Sequence, residues 1–411
     1  MTRQDSYRSL LNIPGLSPLL VAATCSRLAG RMFVLTLVLF VLARFSSPEL
    51  AGWLTFAAIV PGLVVSPVAG AILDRVGPTI AVRIDFIASA IFVAAVSVVG
   101  WSGSADPVVL AVPVVLYSLT GPLGAAGTRT LLPRVVPPAA LDRANALDTA
   151  IYAVVDVVGP ALAGVMAASL GPAAAILLIA TAYASAAVFL SFVPHLPGLV
   201  RSRASIWRQT MEGIRMVAAQ PTLRGLAISY SLYQVTWGAL IVVVPTFVAE
   251  HVSKGAASSI TGLMWTTVGA AGGVSALLAG HLRTVDRERR IMAVGMAATA
   301  AAAWPVAGEF GLGGLVAALI VVGIASGPID VALLTLRQRR TDPRQLGRVM
   351  SISMSLNVVG FPIGSAIAGT LTATSSSAAL MMAGIASAMA ALATSAIPHE
   401  IAQVRTGKES G

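Results

Sequence analysis

The stretch LAGWLTFAAIVPGLVVSPVAGAILDRVGPTIAVRIDFIASAIFVAAVSVVGW, residues 50–101, decides the fold. Two apolar runs, near residues 50–72 and 80–101, flank a short gap that holds Asp74 and Arg75. A helix needs about 20 apolar residues to cross the hydrocarbon core, so each run can span once. Short basic gaps resist translocation, which places Arg75 on the cytoplasmic side. Within the gap, Gly77 permits a turn that is costly for other residues. Asp74 can satisfy the orphan amides or the positive dipole end of a nearby helix, or else cap a solvated turn.

Working outward, further runs lie near residues 17–43, 108–130, 145–169 and 173–194, then 223–249, 257–281, 291–308, 312–336, 347–371 and 376–397. All but four of the 27 Lys and Arg residues sit at the ends of the chain or at every second gap, around Arg75, Arg134, Arg203, Arg287 and Arg339. This alternation fixes an expected orientation with both termini cytoplasmic. Twelve spans consume about 240 residues and leave no room for a folded domain outside the membrane. Composition agrees, because 56% apolar and 11% charged residues would not cover a water-soluble protein of 411 residues. The expected fold class is an all-α membrane protein of twelve transmembrane helices.

The net charge of +10 is spread over many short loops without a nucleic-acid recognition motif, so topology and anionic lipid headgroups account for it and no nucleic acid is expected. A single cysteine, Cys25, excludes an internal disulfide and a multi-cysteine metal site. The polar start, Met1 to Asn12, lacks a signal-peptide core and cleavage site, so the first span is expected to be retained as an anchor.

Two halves are expected, residues 1–194 and 223–411, joined by a cytoplasmic linker at 195–222. In the linker, Arg201, Arg203, Arg208, Arg215 and Arg224 accompany an apolar stripe of Ile206, Met211, Ile214 and Val217, the pattern of an interfacial helix or, failing that, a solvated connection. A weak repeat supports the halves: Pro138-Ala-Ala-Leu141-Asp-Arg143 is matched by Pro343-Arg-Gln-Leu346-Gly-Arg348, and Asp156-Val-Val-Gly159 by Asn357-Val-Val-Gly360. Transporters built from such repeats place the substrate at the repeat interface. That makes Asn357 a candidate contact.

Charges inside the spans are the strongest functional candidates. Arg27 and Arg31 lie one turn apart, about 12 and 18 Å past the inner edge of the first span. Each would cost about 2.5 to 3.5 kcal/mol if it faced lipid, so both should face protein or a watery cavity. Asp156 matches them in depth, about 15 Å into the fifth span. Burial and a nearby Arg act on a carboxyl in opposite directions, so Asp156 can alternate between protonated and Arg-paired; a purely structural ion pair is the alternative. Asp85 and Asp148, near the cytoplasmic edge, are expected to pair with Arg83, Arg129 or Arg143. In the seventh span Tyr230, Tyr233, Gln234 and Trp237 follow i, i+3, i+4, i+7, one helical face. Facing a cavity, that stripe would stack on flat, apolar or cationic solutes and satisfy Gln234; the alternative is an interfacial aromatic belt.

The stretch Gly70-Ala-Ile-Leu73-Asp74-Arg75-Val-Gly77-Pro78 resembles the loop motif of the major facilitator superfamily. Gly159-Pro160-Ala-Leu-Ala-Gly164 is similar to the family's antiporter motif. Together with Arg129-Thr-Leu-Leu-Pro133, Asn145-Ala-Leu, and Gln338-Arg-Arg-Thr-Asp-Pro343 leading to Gly347-Arg348-Val-Met, the chain resembles the bacterial macrolide and enterobactin exporter branch over its whole length. The resemblance implies two pseudo-symmetric six-helix bundles around a central cavity, in a bacterial cytoplasmic membrane. It implies conformational-switch roles for Gly70, Asp74, Arg75 and Gly77 and for Gly159, Pro160 and Gly164. It also turns Asp330, in the tenth span, toward the cavity. Pro78 stands where the family motif carries Arg, and Gly280 to Arg290 is a degraded second copy.

No P-loop, metal-ligand cluster or nucleophile triad is present, so no cofactor, metal or enzymatic activity is expected and an ion or substrate gradient must supply energy. The expected function is proton-coupled efflux of amphiphilic small molecules or drugs, by a monomer whose partners are its substrate, protons and lipids. Asp156, Asp330, Arg27 and Arg31 are assigned to proton coupling; Tyr230, Tyr233, Gln234, Trp237 and Asn357 to substrate. Alternatives are export of a siderophore or lipid-like metabolite, for which the arginines would suit an anion, and a transport-inactive sensor or scaffold.

Overall fold

A computed structural model of the chain describes residues 10–102, 106–137, 140–196, 206–281, 287–303, 310–341, 353 and 355–398. Among them every regular element is helical. The first half contains α1 (Leu16–Phe45), α2 (Pro48–Ala57), α3 (Val60–Val76), α4 (Pro78–Trp101), α5 (Pro107–Val135), α6 (Leu141–Leu170) and α7 (Pro172–Leu190). After α8 (Ile206–Ala219), the second contains α9 (Pro221–His251), α10 (Lys254–His281), α11 (Glu288–Ala303), α12 (Gly311–Arg339), α13 (Gly360–Thr372) and α14 (Ser376–Ala393). Eleven segments are long and apolar enough to cross a membrane, and α11, described over 16 residues, supplies the twelfth position. The fold is therefore the all-α, two-times-six arrangement.

Local chemistry explains where these helices start. Proline opens α2, α4, α5, α7 and α9, where its missing N–H costs nothing. Side-chain caps complete some of them: Ser47 Oγ accepts from Leu50 N at 3.1 Å, and Asp106 Oδ1 from Val108 N at 2.8 Å. At the α3–α4 corner Gly77 has φ 92°, so the chain reverses through a conformation that only glycine adopts cheaply.

The second span differs from its expected form, a single helix over 50–72. It breaks at Ala58–Ile59 into α2 and α3, ahead of Pro61, whose ring removes a ladder hydrogen bond. Gly62 N then donates across to Ser118 Oγ on α5 at 2.9 Å, so the break leaves this amide satisfied away from water.

Helices of one half pack mainly on each other. Among the described residues, substantial contact between halves is confined to α2 with α13 and α6 with α10, with smaller contacts of α9 on α1 and α2. Both principal seams run through glycine. A β-carbon at Gly369 would meet Gly52 Cα at 3.0 Å, and one at Gly262 would meet Gly164 Cα at 2.6 Å. Small residues let backbones touch, which is how helices associate in lipid without a hydrophobic driving force. These seams lie at the end of the bundle carrying Pro48, Gly171 and Val252, remote from the basic loops. Toward the Arg75 end, α3, α5 and α12 pack with their own half or, for α3, also with α8, so among the described residues they make no substantial contact across the halves; the central chamber that the resemblance implies would lie in this gap. Apolar side chains such as Val64, Val98, Leu263 and Leu392 cover the outside.

Candidate functional site

The chamber walls carry charge from both halves. On α1, Arg31 Nε meets Asp156 Oδ1 of α6 at 2.6 Å, and the two side chains are 56% and 47% exposed. The expected Arg31–Asp156 partnership is thus present. Exposure toward lipid would cost several kcal/mol. Asp156 instead lies near enough to Asp330 of the other half to act on it electrostatically. Gly159, one turn beyond Asp156, lets α1 approach: a β-carbon there would stand 2.8 Å from Arg31 Cβ.

Arg27 is different. Its Nη1 and Nη2 grip Asp148 at 2.7 and 3.2 Å, a bidentate pair in which the side chains are only 9% and 15% exposed. Its guanidinium also stacks on Tyr152, 3.7 Å from the ring centroid, and Arg129 approaches the same ring at 5.3 Å. Asp148 therefore takes a cation from α1, where Arg83, Arg129 or Arg143 was expected. The Arg27–Asp148 pair ties α1 to α6 within the protein, whereas Arg31–Asp156 faces the chamber.

Asp85 corrects a second expectation. It is buried, 3% exposed, and accepts from Ser89 Oγ at 3.3 Å, with Thr120 and the Gly124 backbone as further hydrogen-bond partners. Arg83, two residues away, is on another side of the helix and exposed.

In the second half, Asp330 on α12 is exposed to the chamber and accepts a 2.6 Å hydrogen bond from Tyr230 Oη. The aromatic stripe continues from Tyr230 through Tyr233 and Trp237 to Trp265 of α10, with centroid separations of 5.9, 6.3 and 6.1 Å. Tyr230, Gln234 and Trp237 are partly exposed, and Gln234 has no hydrogen-bond partner among the described residues. Tyr233, expected beside them, is fully buried, its hydroxyl 3.4 Å from Thr299 Oγ1 of α11. Asn357 is also buried rather than presented to the chamber. With its amide oxygen toward α12 it accepts from Arg337 Nη2 at 2.5 Å, while its nitrogen donates to Ser353 O at 3.1 Å. Sequence reading missed Trp265 and Arg337. A lone tryptophan in an apolar run and one arginine among several at a basic helix end give no signal of their own.

Of the switch candidates, Gly77 forms the corner, Arg75 is exposed, and Pro160 lies inside α6 between Gly159 and Gly164. The surroundings of Gly70 and the side chains of Asp74 and Arg143 lie outside what is described, as does the Pro343 to Arg348 repeat. Among the described residues no group of His, Cys, Asp and Glu could hold a metal ion.

Exposed charges at mid-span in both halves of a membrane-spanning helical protein point to a transporter. The family model of the Major Facilitator Superfamily matches residues 19–226 and 226–409, and the chain belongs to that family. It is 65% identical over 404 residues to y4rN of Sinorhizobium fredii, described as an uncharacterized MFS-type transporter, covering 98% of this chain and 100% of the other. It is 29% identical over 357 residues to the multidrug efflux pump Tap of Mycobacterium tuberculosis, covering 81% of each. Among solved structures, the nucleoside transporter NupG superposes with a TM-score of 0.74 at 12% identity, over 93% of this chain and 98% of that one. A bacterial homologue of the iron transporter ferroportin gives 0.71 at 16%, over 94% and 98%.

Proposed function

We propose that this transporter exports amphiphilic small molecules from a bacterial cytoplasm in exchange for protons, by alternating access. The observation that carries the reading is the unequal state of two carboxyls on one chamber. Asp156 is held by Arg31, while Asp330 is held by the neutral Tyr230 hydroxyl, with no cation paired to it among the described residues. A carboxyl without a counter-cation gives up no ion pair when it takes a proton, whereas one paired with a cation must part from it first. Asp330 is accordingly the proton carrier and Asp156 the group that trades Arg31 for a proton as access changes. Substrate lies between them against Tyr230, Trp237 and Gln234. An aromatic wall with one amide and one carboxyl suits a flat, apolar or cationic solute.

With the basic loops cytoplasmic by the positive-inside rule, the open end of the chamber faces the cytoplasm, both termini are cytoplasmic, and α8 lies along the inner membrane surface. One chain supplies every residue that this reading uses, which supports a monomer. Export of an anionic metabolite is the weaker reading, because Arg27 and Arg31 already hold Asp148 and Asp156. The similarity to a multidrug efflux pump supports the substrate class.

The test is ethidium-driven proton release from proteoliposomes holding purified protein. Asp330→Asn should abolish the release and Asp156→Asn reduce it at least tenfold. Wild-type coupling in both variants refutes the assignment, and absence of any flux with the native chain favours a scaffold.

A further inference from the structure

Arg337 is among the largest fully buried side chains of the molecule, 2% exposed, on the same helix as Asp330. Two turns separate them, about 10 Å along the axis on one face. Helical side chains lean toward the N-terminus, so Arg337 leans toward Asp330. The guanidinium is poorly matched where it sits. Nη2 rests on the neutral Asn357 amide at 2.5 Å, Nε has no hydrogen-bond partner, and no carboxylate pairs with it among the described residues. A buried cation of this kind is costly unless another arrangement of the protein rewards it. Tyr230, bonded to Asp330, lies near enough to Arg337 to feel its charge.

We propose that Arg337 is the internal counter-cation of Asp330, parked on Asn357 while the carboxyl is protonated and swinging along α12 toward Asp330 and Tyr230 when the proton leaves. It is a positioning residue, acting through Asp330, and the inference rests on Asp330 being the proton carrier. The reserve cation lets the emptied carrier be neutralised inside the second half before a substrate binds. Asn357, one of two repeat-matched positions, is then the rest for that cation rather than a substrate contact.

Other charges around Asp330 are few. α9 contributes Tyr230 and Tyr233, and Asp156 faces it from α6. Glu288, Arg289 and Arg290 sit at the start of α11, where Glu288 is engaged by Arg339 of α12 at 2.6 Å. α10 offers no titratable side chain between Lys254 and His281, and α13 and α14 offer none. Removing Arg337 therefore removes the one cation of α12 placed to answer Asp330 in the described structure.

The experiment follows the carboxyl C=O infrared band of the full chain in lipid nanodiscs against pH, assigned to Asp330 by its loss in Asp330→Asn. Losing a nearby cation disfavours the carboxylate, so the midpoint should move up by about one pH unit in Arg337→Gln and stay near wild type in Arg337→Lys. Asn357→Ala frees the guanidinium and should move the midpoint down, which keeps the inference testable if Arg337→Gln fails to fold. A band whose midpoint in wild type is unchanged in whichever of Arg337→Gln and Asn357→Ala folds overturns the inference alone. If no titrating band disappears in Asp330→Asn, the proton-carrier reading fails and this one with it.

Discussion

Gly159 on α6 lies directly against Arg31 on α1, so closely that a β-carbon at the glycine would stand 2.8 Å from Arg31 Cβ. The arginine's stem cannot retreat at that atom without moving its backbone. Gly159 thus sets the distance across which Arg31 reaches Asp156, which gives the antiporter-like Gly159-Pro160 pair a physical task in this chain. Gly159→Val should force α1 and α6 apart, at a cost of about 1–3 kcal/mol typical of over-packing. The expected result is a lower unfolding temperature and at least a tenfold loss of ethidium flux, with Gly159→Ala milder. Wild-type flux in Gly159→Val would contradict this.

The two arginine pairs should separate by stability. Arg27→Leu strands Asp148 in a site where it is 15% exposed, and removing one partner of a buried pair costs about 3–5 kcal/mol. Replacing both partners by leucine should recover most of the loss. Arg31→Gln leaves Asp156 47% exposed to the chamber, so its unfolding temperature should barely move while transport falls. Equal thermal losses in Arg27→Leu and Arg31→Gln would sink the distinction.

Spans and halves were legible because bilayer thickness and loop charge act directly on sequence, and intramembrane charges were legible because lipid penalises them wherever they occur. Partner choice was not. Counting depth along helices matched both arginines to Asp156, but an arginine leans toward the helix N-terminus, which takes Arg27 back to Asp148. A step of three residues turns Tyr233 about 60° from Tyr230, enough to carry it from the chamber to Thr299. Asp85 was expected to pair with Arg83, Arg129 or Arg143, yet residues two apart on a helix do not face each other and Ser89 of its own helix holds the carboxyl. Asn357 gave no hint of Arg337, since a contact between helices leaves no periodicity to read.

Asp85 yields a prediction of its own. Its carboxyl is held by the side chains of Ser89 and Thr120 and the Gly124 backbone, with no cation among the described residues. An amide of the same shape can keep most of these bonds. Asp85→Asn should therefore transport normally and unfold within a degree or two of wild type, whereas Asp85→Leu leaves buried polar groups unsatisfied at about 1–3 kcal/mol. Loss of coupling in a stable Asp85→Asn protein would instead make Asp85 a proton site.

Under the proposed alternating access, the glycine seams are the gate at the closed end, which bulk should jam. A β-carbon at Gly262 would meet Gly164 Cα at 2.6 Å and the Pro160 carbonyl at 3.2 Å, so leucine cannot be housed while α6 and α10 touch. Gly262→Leu should therefore favour the state in which the Pro48 end is open. Cys25 is the sole cysteine, so Cys25→Ala provides a thiol-free background. In that background Gln234→Cys, on the partly exposed stripe of α9, should react with a membrane-impermeant thiol reagent from the basic-loop side. Adding Gly262→Leu should move reactivity to the opposite side and stop ethidium flux, since a carrier that cannot close one gate cannot cycle. Reactivity still confined to the basic-loop side would mean that the seam is packing rather than a gate.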